Sequence, residues 1–205
     1  MNKREVGRFF KILGALYPEK GTVFVTGAAA GAFYGRVRPT ADIDFALRLG
    51  RKAAAAKEEA WSAFTNAVAE ARARTGIDVQ YAEDIDRWSS ITLLDYDRHT
   101  RAVGRFGKLE ERLLEPAYWA IGKLSRYLDS DVRDLVIVFR RTRTSWRKLA
   151  PLLGKALRKR PKSTACFSFR RQVEDFLKIH GKEIWGKNYS AQEAIALFHR
   201  HAKIT

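Results

Sequence analysis

The chain has one cysteine, Cys166, in 205 residues. An intrachain disulfide and a cysteine-based zinc site are therefore excluded, and a reducing cytoplasm suits the chain. The thiol is expected to be buried and inert. Long apolar runs are also missing: the longest aliphatic stretch, residues 135–139, is far too short for a bilayer, and the amino-terminal segment has no signal-peptide-like apolar block. The expectation is a soluble cytoplasmic protein with no membrane partner. The histidines, His99, His180, His199 and His201, form no metal-ligand grouping with cysteines or acids and read as surface residues. Acids are scarce against bases, 23 to 39, which gives a net charge of +16 and a pI of about 10.2. Such a surface repels itself unless an anion neutralises it, so nucleic acid is the favoured partner class. The excess is concentrated, because residues 140–205 hold 17 Lys and Arg against 4 acids while residues 1–139 are close to balance.

What the chain does have is material for a core, with 46% hydrophobic and 12% aromatic residues, and this argues against disorder. Residues 4–17 place Val6, Phe9, Phe10, Leu13 and Leu16 at helical spacing before Pro18 and Gly21. Residues 22–26 read as a short buried strand, 27–35 as a turn with a small-residue helix, and 42–47 as a second strand. The alanine-rich residues 52–74 predict a helix stopped by Gly76, and 77–81 a third strand. Residues 91–94 and 109–114 are weaker strand candidates. Pro116 suits the first turn of a helix to about residue 128, and residues 135–139 fit either a strand or a buried helix. Beyond residue 140 the pattern is helical, over 146–157 and 169–180, with a Ser190/Glu193 capping signal for a last helix. The fold class expected is α+β, a small mixed sheet with flanking helices over residues 1–115, followed by a basic, mainly helical part over 116–205.

The densest cluster of functional residue types is Thr26-Gly27-Ala28 followed by Asp42-Ile43-Asp44. Side chains alternate along a strand, so the two acids project from one face while Ile43 turns into the core. Carboxylate oxygens so placed are hard ligands that suit magnesium, whose shell is completed by water and phosphate oxygens. A glycine between strand and helix lets the backbone approach a phosphate. A rival motif is the dinucleotide turn of short-chain dehydrogenases. Phe33 stands where its third glycine belongs, and Tyr118 with Lys123 has the wrong spacing for its proton-donor pair. In the basic carboxy-terminal part, Trp146, Trp185 and Tyr189 lie among arginines and lysines, compatible with stacking on RNA as well as with core packing.

Gly27-Ala28-Ala29-Ala30, Tyr34-Gly35, Arg38-Pro39-Thr40 and Asp42-Ile43-Asp44 together resemble the opening motif of AbiEii-like, toxin-type nucleotidyltransferases. Weaker similarity to the polymerase-β-type superfamily continues through Asp78, where a third carboxylate would lie, and through Lys123, Asp131 and Asp134. The resemblance covers about residues 20–140. It implies a nucleotidyltransferase-type fold with Asp42, Asp44 and Asp78 as catalytic metal ligands holding two Mg2+, or Mn2+ in their place. It implies that Thr26, Gly27, Ala28, Arg38, Thr40, Lys123 and Asp134 contact the nucleoside triphosphate, with Lys123 also aiding catalysis. Asp84, Asp86 and Asp95 lie in the same neighbourhood as Asp78, which is preferred because apolar residues flank it on a strand. Ala28 replaces the glycine or serine usual in the family, leaving Thr26 as the nearby hydroxyl. The activity implied is transfer of a nucleoside monophosphate to an acceptor hydroxyl; the basic carboxy-terminal part favours RNA as the acceptor, bound through that part, and the resemblance implies a tRNA end, with an antitoxin protein as a further partner. The alternative is a catalytically silent RNA-binding or partner-regulating protein of the same fold.

Overall fold

The computed structural model describes residues 1–35, 38–93 and 95–204. It has an α+β architecture with a five-stranded mixed sheet and, among the described residues, eight α-helices. Two compact units divide the chain: Met1–Ile85 with Thr100–Leu114, and Asp86–His99 with Glu115–Thr205.

The first unit opens with α1 (Lys3–Leu16). The Asn2 side chain accepts from the Arg4 and Glu5 N–H groups, and the Glu5 carboxylate accepts from the Asn2 N–H (2.6 Å), a complete capping box. Next come β1 (Gly21–Val25), β2 (Asp42–Leu49), α2 (Arg51–Ala55), α3 (Lys57–Thr75), β3 (Asp78–Ala82), β4 (Thr100–Phe106) and β5 (Leu109–Leu114). The sheet order is β3-β2-β1-β5-β4, with β1 antiparallel to β2 and parallel to β5, β2 parallel to β3, and β4 antiparallel to β5. One face of β2 buries Ile43, Phe45 and Leu47. Phe45 meets Phe10 (5.3 Å between ring centres) and stacks on Tyr81 (5.8 Å), while Phe64 of α3 packs on Tyr17 (5.1 Å). These aromatic contacts bind α1 and α3 to that face.

The sequence pattern identifies four of the five strands. It misses β4, which lies at the sheet edge with its register shifted between Ala102 and Gly104, so its side chains do not follow a clean period of two. The single alanine-rich helix is two, broken at Ala56. Residues 91–93 form no strand, and Leu94 lies outside the described residues.

Glu111 of β5 is 2% exposed, and its Oε1 finds no hydrogen-bond partner among the described residues. A Cβ at Gly104 would lie 2.8 Å from its Oε2, so the glycine makes room for the carboxyl group. Burial pushes this carboxyl up to about 7, against the opposing charge of Lys3. The folded chain thus holds the proton more tightly than the unfolded chain. The stability this contributes is complete below the ordinary glutamate value and is lost as pH rises through about 7. Glu111→Gln is expected to raise stability at pH above 8 by about 3 kcal/mol and to flatten the pH dependence of the thermal midpoint. An unchanged slope from acid to alkaline pH would show that Glu111 does not titrate in this way.

The second unit is built of α4 (Pro116–Arg126), α5 (Asp129–Thr142), α6 (Trp146–Arg158), α7 (Thr164–Trp185) and α8 (Ala191–Ala202). Residues 135–139 are therefore helix. Leu149 and Leu153 of α6 are buried, as are Phe176 of α7 and Phe198 of α8, and Phe139 meets Phe176 at 6.0 Å. A Cβ at Gly154 would lie 2.5 Å from the Phe198 carbonyl oxygen, so this glycine permits the backbones of α6 and α8 to meet. Cys166 is half-buried rather than enclosed, because it sits in the first turn of α7, where its Sγ lies 3.2 Å from the Pro161 carbonyl. No described helix is long and apolar enough to cross a membrane.

Candidate active site

At the end of β1 the chain turns sharply at Thr26 and Gly27. The Thr26 N–H donates to the Asp44 carbonyl (2.9 Å), continuing the β1–β2 pairing by one step. Gly27 has φ +60°, the left-handed region that glycine occupies without strain. Any Cβ there would fall 1.9 Å from Oδ2 of Asp44, so the Asp44 carboxylate lies directly against the glycine bend. A single 3-10 turn, Ala29–Ala32, follows in place of the expected helix. The close approach of backbone to carboxylate at this bend thus belongs to the turn itself.

Asp42 and Asp44 are both half-buried on one face of β2, and Ile43 between them is fully buried on the other. The Thr40 hydroxyl donates to Oδ1 of Asp42 (2.8 Å), and the Gln80 amide donates to Oδ2 (3.2 Å). These two bonds fix the orientation of the carboxylate. Gln80 is a site residue that the motif reading missed. The signal for it was strand alternation, which sets Gln80 on the same face of β3 as Asp78. Arg38 is exposed on the segment leading to Thr40, and Thr26 and Ala28 are half-buried at the bend.

Asp78 is the register partner of Asp42 across the parallel β2–β3 pair. Its carboxylate is engaged elsewhere, accepting from Arg72 at 2.6 Å with the side chain 73% exposed at the sheet edge. Asp84 follows β3, its Oδ1 accepting from the Ile85 N–H (2.6 Å). Asp86 and Asp95 belong to the second unit, where Asp95 pairs with Lys155 (3.1 Å). The structure therefore brings together Asp42, Asp44, Thr40 and the Gly27 bend. Asp78 stands beside them with its carboxylate turned to α3. Among the described residues no group of three or more acids, histidines and cysteines could hold a metal ion.

Lys123 and Asp134 belong to the second unit and contact each other. The Lys123 ammonium is 2% exposed, bonds Asp131 at 2.6 Å and Asp134 at 2.7 Å, and lies over the Trp119 ring. Arg126 adds two bonds to Asp131, at 3.0 and 3.1 Å. Burial alone would raise the Asp131 carboxyl. The hydrogen bonds and charges of Arg126 and Lys123 outweigh burial and hold it below the ordinary range. These four side chains join α4 to α5.

Trp146, Trp185 and Tyr189 of the carboxy-terminal part serve packing. Trp146 and Tyr189 are buried, Trp185 lies tilted against Tyr189 (5.0 Å between ring centres), and its Nε1 donates to the Thr144 carbonyl (2.7 Å). Trp146 meets Tyr189 edge-on (5.8 Å between ring centres), so these three rings pack together as a cluster.

No family model matches the chain, and neither a curated protein nor a solved structure matches it.

Proposed function

We propose that the chain is a nucleotidyltransferase whose reaction centre is built on Asp42 and Asp44. The observation that carries this reading is the Asp44 carboxylate pressed against the Gly27 bend, with Asp42 on the same strand face. Two half-buried carboxylates of like charge favour a cation between them, and their hard oxygens fit magnesium. Magnesium held by Asp42 and Asp44 would neutralise phosphate charge and assist pyrophosphate departure.

In this reading the bend admits the triphosphate close to the backbone, with Thr26, Ala28 and Arg38 available to its oxygens. Thr40 and Gln80 keep Asp42 oriented. Asp78 is the candidate third carboxylate, and Arg72 competes for it. The acceptor hydroxyl forms a bond to the α-phosphorus as the bond to the β-phosphate oxygen breaks. The hydroxyl proton is released, pyrophosphate leaves, and the nucleoside monophosphate remains on the acceptor. Holding the two reactants in line supplies much of the acceleration. The net charge of +16 supports RNA as the acceptor, with a tRNA end the first to try. The resemblance to toxin-type enzymes adds a neutralising protein as a further partner to seek.

A second reading, a silent RNA-binding or partner-regulating protein, is favoured by one observation, the engagement of Asp78 by Arg72. One assay separates the two. The chain is incubated with magnesium, total RNA and each labelled nucleoside triphosphate in turn. Label on RNA that disappears in Asp44→Asn supports transfer. Binding of RNA with no label under any of the four nucleotides supports the silent protein.

A further inference from the structure

At the end of the sheet away from Asp42, a cleft of about 370 Å3 is lined by Lys20, Arg48, Arg105 and Lys108. Arg48 lies four residues beyond Asp44, roughly 13 Å along the strand, so this is a separate place from the acid pair. The four cations come from three stretches of chain, at residues 20, 48 and 105–108, that the sheet brings together. Arg48, Thr22, Glu110 and Arg105 form one cross-strand row over β2, β1, β5 and β4. Lys20 precedes β1, and Lys108 lies in the β4–β5 turn.

Backbone contacts hold these charges in place. The Gly50 N–H donates to the Lys20 carbonyl (2.8 Å) and the Gly21 N–H to the Lys108 carbonyl (3.3 Å). The β4–β5 turn is pressed on α1, where a Cβ at Gly107 would lie 2.2 Å from the Gly14 carbonyl oxygen. The one acid in the lining, Glu110, is neutralised by Arg112 at 2.6 Å. Lys20, Arg105 and Lys108 have no ion-pair partner among the described residues. Like charges gathered on a fixed frame repel one another, and the repulsion is relieved by an anion.

We propose that this cleft binds the phosphodiester backbone of RNA. Its cross-strand row spans three strand intervals, about 14 Å, which is wider than one phosphate and suited to successive phosphates of a single strand. The lining offers no aromatic ring for stacking, so the contact is with backbone and independent of base sequence. The assignment rests on RNA as acceptor in the reading above and locates where that strand is held. It is independent of the transfer chemistry, because binding is measured without nucleotide and with chelator present. Failure of Asp42 and Asp44 as catalysts would leave it untouched.

The test titrates the full chain against a fluorescein-labelled single-stranded RNA by anisotropy over a range of salt. The variant Lys20→Ala/Arg105→Ala/Lys108→Ala is expected to bind about tenfold or more weakly, with the slope of log affinity against log salt reduced by about 2. The equal-charge control Arg4→Ala/Lys11→Ala/Arg101→Ala should keep the wild-type slope. The charge-conserving Lys20→Arg/Arg105→Lys/Lys108→Arg should bind as wild type. Lys108→Ala alone, at an exposed turn, should show about one third of the slope change and covers the case in which the triple variant unfolds. An unchanged slope in the cleft variants, or equal loss in the control, overturns the proposal. So does loss of tripolyphosphate binding with RNA affinity intact, which would give the cleft to small polyphosphates.

Discussion

Replacing Lys123 with methionine is expected to destabilise the chain by about 3 to 5 kcal/mol and to lower the thermal midpoint by about 10 °C. Methionine preserves much of the stem that packs beside Trp119 and removes the ammonium that bonds Asp131 and Asp134. Two carboxylates that are each 1 or 2% exposed then lose their shared cation. Asp131 retains Arg126, whose side chain is 37% exposed and screened by water, so it compensates only in part. The second change Asp134→Leu, made with Lys123→Met, should restore part of the stability, because it removes a charge left without Lys123.

The same pair of variants separates two roles for Lys123. If its place is structural, the folded double variant regains part of the lost stability and its apparent affinity for the nucleoside triphosphate is unchanged. A contact with triphosphate, the role implied by family resemblance, would instead raise the nucleotide KM about tenfold or more in a folded double variant. Since Asp131 is held below its ordinary value, the network's contribution is present at pH above about 3.9 and fades as pH falls below it. The loss in Lys123→Met should therefore be near full at neutral pH and shrink in acid.

The parts of the molecule legible in the sequence are those set by local pattern. The helix α1, the strand, bend and strand at residues 22–47 and the alternation of Asp42, Ile43 and Asp44 need only neighbours in the chain. The structure places the acid pair beside the Gly27 bend because β1 and β2 pair antiparallel, leaving Thr26 and Asp44 bonded through their backbones. Features that depend on which strands become neighbours were hidden. The basic cleft gathers residue 20, residue 48 and the hairpin residues 105 and 108 from stretches distant in sequence, and its charges lie in the part of the chain that looked nearly neutral. Net charge over a long window cannot register a patch assembled by sheet order. Asp78 shows the same limit from the other side. Its strand and its face were readable, but Arg72, six residues earlier and at the end of α3, decides where its carboxylate goes. The resemblance picked out Lys123, Asp131 and Asp134 together, but nothing in the sequence showed that the two acids would enclose the lysine.

Gly27→Ala is expected to reduce nucleotidyl transfer by about 100-fold or more while leaving the charge of the site unaltered. The new methyl carbon would meet Asp44 Oδ2 at 1.9 Å and Cγ at 2.7 Å, closer than a methyl carbon can come to either atom, so the carboxylate or the bend must move. The left-handed backbone adds strain of about 1 to 2 kcal/mol whether or not the carboxylate yields. Asp44→Asn keeps the side-chain volume and removes the charge, with a loss of transfer of about 100- to 1000-fold and little change in melting, since it also relieves repulsion from Asp42. The two substitutions therefore reach the same chemistry by different routes, one through position and one through charge. A double-mutant cycle between Gly27→Ala and Asp44→Ala measures how they are joined. Asp44→Ala removes the two nearest clashing atoms and leaves only its Cβ at 2.9 Å, so the methyl group at position 27 should destabilise that background less, by about 1 kcal/mol or more. Additive effects in melting would mean that the carboxylate does not rest on the bend, and the proposed reaction centre would lose its geometric basis.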